Sequence, residues 1–233
     1  MELESTTPSV RIVPNPTYGR DHPEDGEYEK NLIKIAVAGD SACGKTSILR
    51  RLQTGNFCRG VKATVSVDLV VLRLAWSDGR RAKIMLFDMV GDDRFRPHQP
   101  CNFMGGIEAA MMVFDCKRPE TYKSFDIWQR RLDLDIGEDH RRVVLCNKVD
   151  RLSGSERVNT MALDWMAGAR ETYGGKFFWT SAVTGEGCLE ALAYLARKIL
   201  RERSKKKIVE HRAEMARLGY TNGTLEPRSR CCK

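Results

Sequence analysis

The chain has 233 residues, 42% of them hydrophobic, enough to bury one sizeable core and too few for several. Its net charge of +8 is unevenly placed: Arg197 to Lys233 holds 12 Lys or Arg against 4 Asp or Glu, and the rest of the chain 27 against 27. A basic tail on a neutral body argues against a nucleic-acid-coating domain and for a membrane surface or an acidic partner.

The eight cysteines are scattered without a CxxC pair, a pattern of reduced cytosolic thiols rather than of a secreted disulfide framework. No run approaches the roughly 18 apolar residues of a membrane span. No apolar core follows the N-terminus as in a secretory signal. Glu2 excludes N-myristoylation, which needs glycine there.

Residues 1–30 hold four prolines and little apolar surface, so a flexible extension without chemistry is expected. Leu32 to Ala38 reads as a buried parallel strand interrupted by Lys34. It runs into Gly39-Asp40-Ser41-Ala42-Cys43-Gly44-Lys45-Thr46, which fits the phosphate-binding pattern GxxxxGK(S/T). Gly39 and Gly44 let the backbone curl, so that N–H groups from Ser41, Ala42, Cys43, Gly44, Lys45, Thr46 and Ser47 converge on phosphate oxygens at a helix N-terminus. Lys45 adds a point charge toward the β and γ phosphates, and the Thr46 hydroxyl is placed to ligate Mg²⁺. Gly55 is a natural stop for the helix that follows.

Val65 to Trp76 alternates, Ser77-Asp78-Gly79-Arg80 makes a hairpin turn, and Arg81 to Phe87 resumes as a strand. Strands at Ala109–Phe114, Val143–Cys146 and Lys176–Trp179 then alternate with helices at Glu120–Leu132, Val158–Thr172 and Leu189 to about Arg203. This order predicts an α/β fold: a mostly parallel six-stranded sheet with helices on both faces, over residues 31–203, followed by a basic tail, 204–233.

Three strand ends carry further chemistry. Asp88 closes the run Ile84–Phe87 and supplies the second carboxylate that a Mg²⁺ shell needs, while the Gly91 N–H can meet a γ-phosphate. Asn147-Lys148-Val149-Asp150 follows Val143–Cys146 and can read guanine: the Asp150 carboxylate accepts from N1–H and the exocyclic amine, which adenine does not offer in that arrangement. Lys148 would lay its stem along the base and Asn147 would brace the loop. Thr180-Ser181-Ala182 offers a small-residue loop whose backbone can bond the guanine oxygen.

From about Leu32 to Arg201 these motifs, with Ala63-Thr64-Val65-Ser66 and Phe87-Asp88-Met89-Val90-Gly91-Asp92, resemble the Ras-like superfamily of small GTPases, most of all its Rab branch. The resemblance implies a P-loop NTPase G domain, monomeric, that binds GTP or GDP with Mg²⁺ and no nucleic acid. It puts Phe57 against the base and Thr64 on the Mg²⁺ when GTP is bound, and makes Lys45, Thr64, Gly91 and the residue at Asp92 the hydrolytic set. It further implies a switch in vesicle trafficking, with two loops, Asn56 to Ser66 and Gly91 to Gly105, ordered by the γ-phosphate. Effectors, an exchange factor, an activating protein and a GDP-dissociation inhibitor or escort protein are its expected partners.

Departures matter as much. Asp92 stands where the family has the glutamine that orients the attacking water. A carboxylate cannot donate to that water and repels the γ-phosphate, so slow hydrolysis is expected. A hydrolysis-deficient GTP-binding module and a Ras/Rho-type signalling switch stay open beside the Rab reading, and a P-loop ATPase or nucleotide kinase behind them.

The chain ends Cys231-Cys232-Lys233, which is not a CaaX box but resembles the double-cysteine terminus on which Rab proteins carry two geranylgeranyl groups. One lipid holds a membrane marginally, at about 0.8 kcal/mol per buried CH₂, and two hold it stably. Lys205-Lys206-Lys207 would add about 1 kcal/mol per basic residue near an anionic leaflet. The implied location is the cytosolic face of an intracellular membrane. His22, His98, His140 and His211 are isolated and expected at the surface; Trp128, Trp165 and Trp179 are expected to pack on the sheet.

Overall fold

The structure, a computed structural model, describes residues 8–15, 25–91, 105–138, 140–153, 164–166, 168, 175–217, 220–221 and 224–225. Asp92, most of the second switch loop, most of the expected helix Val158–Thr172, His22, His98, Cys231 and Cys232 lie outside them. Two compact units divide the chain, Met1–Ala196 and Arg197–Lys233.

The first unit is built on one sheet of order β1-β3-β4-β2-β5-β6-β7. Its strands are β1 (Val10–Val13), β2 (Leu32–Ala38), β3 (Asp68–Trp76), β4 (Arg81–Asp88), β5 (Ala109–Asp115), β6 (Arg141–Asn147) and β7 (Lys176–Trp179). β2 pairs in parallel with β4 and β5, and β5–β6 and β6–β7 are also parallel, whereas β3–β4 is the expected antiparallel hairpin. Helices α1 (Asp25–Lys30), α2 (Lys45–Thr54), α3 (Glu120–Lys123), α4 (Phe125–Ile136) and α5 (Cys188–Arg217) connect or follow the strands. The predicted α/β architecture stands, with seven strands instead of six.

The apolar runs form buried strands because the sheet is covered on both faces; every residue of β5 is buried. On one face Trp128, Leu132, Phe114 and Phe177 share a core with Trp165, whose ring stacks on Tyr122 at 5.5 Å and meets Phe114 edge-on at 4.8 Å. Each such fully buried side chain contributes about 1.5–3 kcal/mol. Parallel register carries Val37 opposite Asp88, Asp115 opposite Asn147 and Cys146 opposite Trp179. The strand-end residues therefore gather at one carboxyl edge, where open α/β sheets bind ligands.

The seventh strand and α1 correct the reading of residues 1–30 as flexible for the described parts, 8–15 and 25–30; residues 1–7 and 16–24 lie outside the described residues. Val10–Val13 pairs antiparallel with Arg73–Trp76, and Asn15 Nδ2 donates to Val71 O at 2.9 Å. Behind it α1 buries Tyr28, 2% exposed, under the Arg73 guanidinium at 4.8 Å. Charge pairing accompanies this burial on α1. β3 and β4 set Arg73 directly opposite Lys83, a like-charge pair that destabilises a bare sheet. Asp25 meets Arg73 at 2.6 Å, Glu27 meets Arg81 at 3.3 Å and Glu29 meets Lys83 at 2.5 Å, which offsets it.

Two further expectations change. His140 is buried instead of exposed, its Nδ1 lying 2.7 Å from Gly137 O just past the end of α4. α5 runs to Arg217 and not to about Arg203, because residues 205–217 contain neither Gly nor Pro and Lys206 pairs with Glu210 one turn on, at 3.9 Å. The second unit also holds a short antiparallel pair, β8 (Tyr220–Thr221) with β9 (Thr224–Leu225). Among the described residues no helix is long and apolar enough to cross a membrane.

Candidate nucleotide site

The phosphate end is organised by the turn between β2 and α2. Gly44 caps α2 at φ 102°, and a Cβ there would lie 2.3 Å from Asn147 Nδ2, so both conformation and space demand glycine. Three consecutive carbonyls of the turn are each gripped from the β5 and β6 ends. Arg118 Nη2 donates to Ser41 O at 2.8 Å, Lys148 Nζ to Ala42 O at 2.7 Å and Asn147 Nδ2 to Cys43 O at 2.9 Å. Because a trans peptide carries N–H opposite C=O, this fixes the N–H groups of the next residues, including cleft-lining Ala42 and Gly44, on the other side. Ala42 and Lys148, joined by one of these bonds, are the two non-glycine residues with positive φ among the described residues, at 60° and 67°. Lys45 Nζ donates to Gly39 O at 2.7 Å and Asp40 O at 2.9 Å. Gly91 closes in beside it: a Cβ on Gly91 would meet Lys45 Nζ at 2.3 Å and Gly39 O at 2.8 Å.

The expected metal ligands converge from three separate stretches. Thr46 Oγ1 lies 2.5 Å from Asp88 Oδ2 and 3.0 Å from Thr64 Oγ1, and Thr64 Oγ1 lies 3.5 Å from Asp88 Oδ2. Asp88 is 1% exposed, and its Oδ1 is buried with no hydrogen-bond partner among the described residues. Burial pushes its carboxyl above the usual range, against the lowering pull of Thr46 and Lys45. An all-oxygen set with a buried carboxylate oxygen fits a hard divalent cation such as Mg²⁺, which Thr46, Thr64 and Asp88 would hold and which would supply positive charge beside phosphate oxygens.

The base end is equally pre-arranged. Asn147, buried, accepts from Thr180 Oγ1 at 3.3 Å. Ser181 Oγ donates to Asp150 Oδ1 at 2.6 Å while accepting from Val183 N at 3.2 Å and Thr184 N at 3.1 Å, so the hydroxyl is locked in one direction. That single bond leaves the exposed Asp150 carboxylate capacity for further donors.

One cleft of about 620 Å³ joins the two ends, from Lys45, Thr46 and Thr64 to Asp150 and Ala182, with Phe57 on its wall. Ser41, Ala42, Gly44, Ser47, Gly91, Asn147 and Lys148 line it as well. Cys43, Asp88 and Ser181 are buried and do not line it. Asp92, Cys231 and Cys232 lie outside the described residues. Sequence reasoning missed Asp115 and Arg118, whose contacts support the phosphate turn. Asp115 ends an apolar strand as Asp88 does, and that signal was open to use; nothing in the sequence singles out Arg118.

A family model described as the Ras family matches residues 34–201. Among curated proteins, the chain is similar to Ras-related protein Rab-32B of Dictyostelium discoideum, with 30% identity over 215 residues, 90% of this chain and 81% of that protein. It is 30% identical to human Ras-related protein Rab-8B over 179 residues, 75% of this chain and 82% of the relative. It is 27% identical to Ras-related protein RABE1e of Arabidopsis thaliana over 210 residues, 86% and 92% of the two chains. With these matches over the same fold and the same cleft, the chain belongs to the Ras superfamily of small GTPases, as a divergent member on the Rab side.

Proposed function

We propose that the protein is a Rab-like GTP/GDP switch in membrane trafficking whose hydrolysis of GTP to GDP and phosphate is intrinsically slow. The observation that carries this reading is a cleft whose lining joins Lys45, Thr46 and Thr64 at one end to Asp150 at the other, with the buried Asp88 bonded to Thr46 and the buried Ser181 bonded to Asp150. Lys45 exchanges two carbonyl partners for phosphate oxygens when nucleotide enters, and Asp150 takes the N1–H and amine of guanine. Thr64 stands within hydrogen-bond reach of Thr46, so its loop can report whether the metal shell is complete. Mg²⁺, when bound, supplies charge neutralisation between the phosphates.

Slow turnover follows from Asp92, which can accept from an attacking water but cannot donate to it. The partners of the reading are effectors, an exchange factor, an activating protein and a GDP-dissociation inhibitor or escort protein. Geranylgeranyl groups on Cys231 and Cys232 would hold the protein on the cytosolic face of an intracellular membrane. The same Asp92 favours one second reading, a GTP-binding module that signals by occupancy without hydrolysis. Single-turnover hydrolysis separates them: slow release of phosphate that Asp92→Gln accelerates supports the switch. No phosphate from the native chain, with release restored in Asp92→Gln, supports the module, and equal rates from the two forms overturn the role given to Asp92.

A further inference from the structure

Asp115 lies at the end of β5 with no exposed surface, yet it faces three cations. Its Oδ2 stands 2.8 Å from Lys148 Nζ, 3.5 Å from Arg118 Nε and 3.8 Å from Arg151 Nη1, while its Oδ1 accepts from Lys117 N at 3.0 Å. Two of those cations are the ones that hold the phosphate turn, Arg118 on Ser41 O and Lys148 on Ala42 O. The carboxylate is therefore tied through Lys148 and Arg118 to adjacent carbonyls of the cradle. One of them belongs to Ala42, whose positive φ an L residue adopts only when its surroundings hold it there.

We propose that Asp115 is a positioning residue for bound nucleotide: it keeps Lys148 and Arg118 clamped on the outer carbonyls of the phosphate turn and thereby sets the dissociation rate. The proposal rests on the guanine-nucleotide reading above. Its direction is not the one that simple charge suggests. Removing a carboxylate near an anionic ligand, taken alone, strengthens attraction. Removing this one leaves Lys148, Arg118 and Arg151 repelling one another around a buried neutral group. Ser41 O and Ala42 O then lose their fixed partners, the turn loosens, and nucleotide leaves faster.

The test is release of a fluorescent GDP analogue from full-length protein in Mg²⁺, chased with excess GDP. Asp115→Asn is expected to raise the release rate roughly tenfold or more, the scale of losing a charge-assisted contact. Asp115→Glu is expected to recover part of the difference. Acting through its cations, Asp115→Asn is expected to add little on a Lys148→Met/Arg118→Gln background, whereas a general loss of stability adds in full. Where Asp115→Asn does not fold, Arg118→Gln alone is expected to speed release in the same direction, since Arg118 is partly exposed. Unchanged or slower release in Asp115→Asn, or in Arg118→Gln where that variant stands in for it, overturns the clamp, as does full additivity on the double background. Failure of the wild-type chain to take up the analogue overturns the nucleotide reading itself.

Discussion

Asp88 Oδ2 stands 2.5 Å from Thr46 Oγ1, while the other oxygen of the same carboxylate is buried without a hydrogen-bond partner among the described residues. Half of the group is satisfied by protein and half is held for something else. Such an arrangement is costly without a cation, because burial raises the carboxyl above its usual range and Thr46 and Lys45 offset only part of that penalty on the ionised form. With the native state binding the extra proton, this cost grows as pH rises through the folded value.

Asp88→Asn is therefore expected to stabilise the protein stripped of metal and nucleotide while weakening Mg²⁺-dependent nucleotide binding. Melting in EDTA should shift upward by about 2–4 °C per kcal/mol recovered. Nucleotide affinity in Mg²⁺ should fall at least about tenfold, the scale of one charge-assisted contact. A variant that melts lower in EDTA and binds as wild type contradicts the metal role.

At the other end of the cleft, Ser181 holds Asp150 at 2.6 Å with its acceptor side toward incoming donors. Asp150→Asn replaces an acceptor by a donor, which suits xanthine, where a carbonyl stands in place of the guanine amine. Competition against a fluorescent GDP analogue should show GDP weakened about 10²-fold or more and xanthosine diphosphate strengthened.

Tyr28 and the acidic face of α1 cover a like-charged pair, Arg73 and Lys83, on the sheet. Tyr28→Ala should lower stability by about 3 kcal/mol, in line with other buried aromatic truncations. Deleting residues 1–30 also bares the β3 edge that β1 covers, and concentration-dependent self-association by light scattering is expected.

His140 contributes a pH dependence opposite in sign to that of Asp88. Burial lowers its folded value below the ordinary 6.5, with Arg142 adding to the shift and the Gly137 carbonyl and Asp133 opposing it. The unfolded chain binds the proton first, so this contribution is full above about pH 6.5 and is lost as pH falls. Urea midpoints measured between pH 7.5 and 5.5 should drop, and His140→Gln should flatten that slope.

What the sequence disclosed follows a physical pattern. Residues that sit at the end of an apolar run, such as Asp88, Asn147 and Thr180, are legible in position because a parallel sheet must deliver its strand ends to one edge. Lys176–Trp179 was placed to the residue for the same reason: the run is short and sharply bounded. Val10–Val13 was not legible, since its four residues lie among prolines and become a strand only because β3 offers an edge. Nor was the role of Asp115, which depends on three cations brought in from other loops. The extra length of α5 is not marked by apolar periodicity, since Lys205-Lys206-Lys207 continues the helix on propensity alone.

The most direct test is equilibrium uptake of fluorescent GDP and ADP analogues by the purified chain, with Mg²⁺ and with EDTA. Uptake of the guanosine form that Mg²⁺ strengthens and excess ADP fails to displace is the expected result. Equal displacement by ADP, or no uptake of the guanosine form, contradicts a cleft built to hold a guanine nucleotide by both ends.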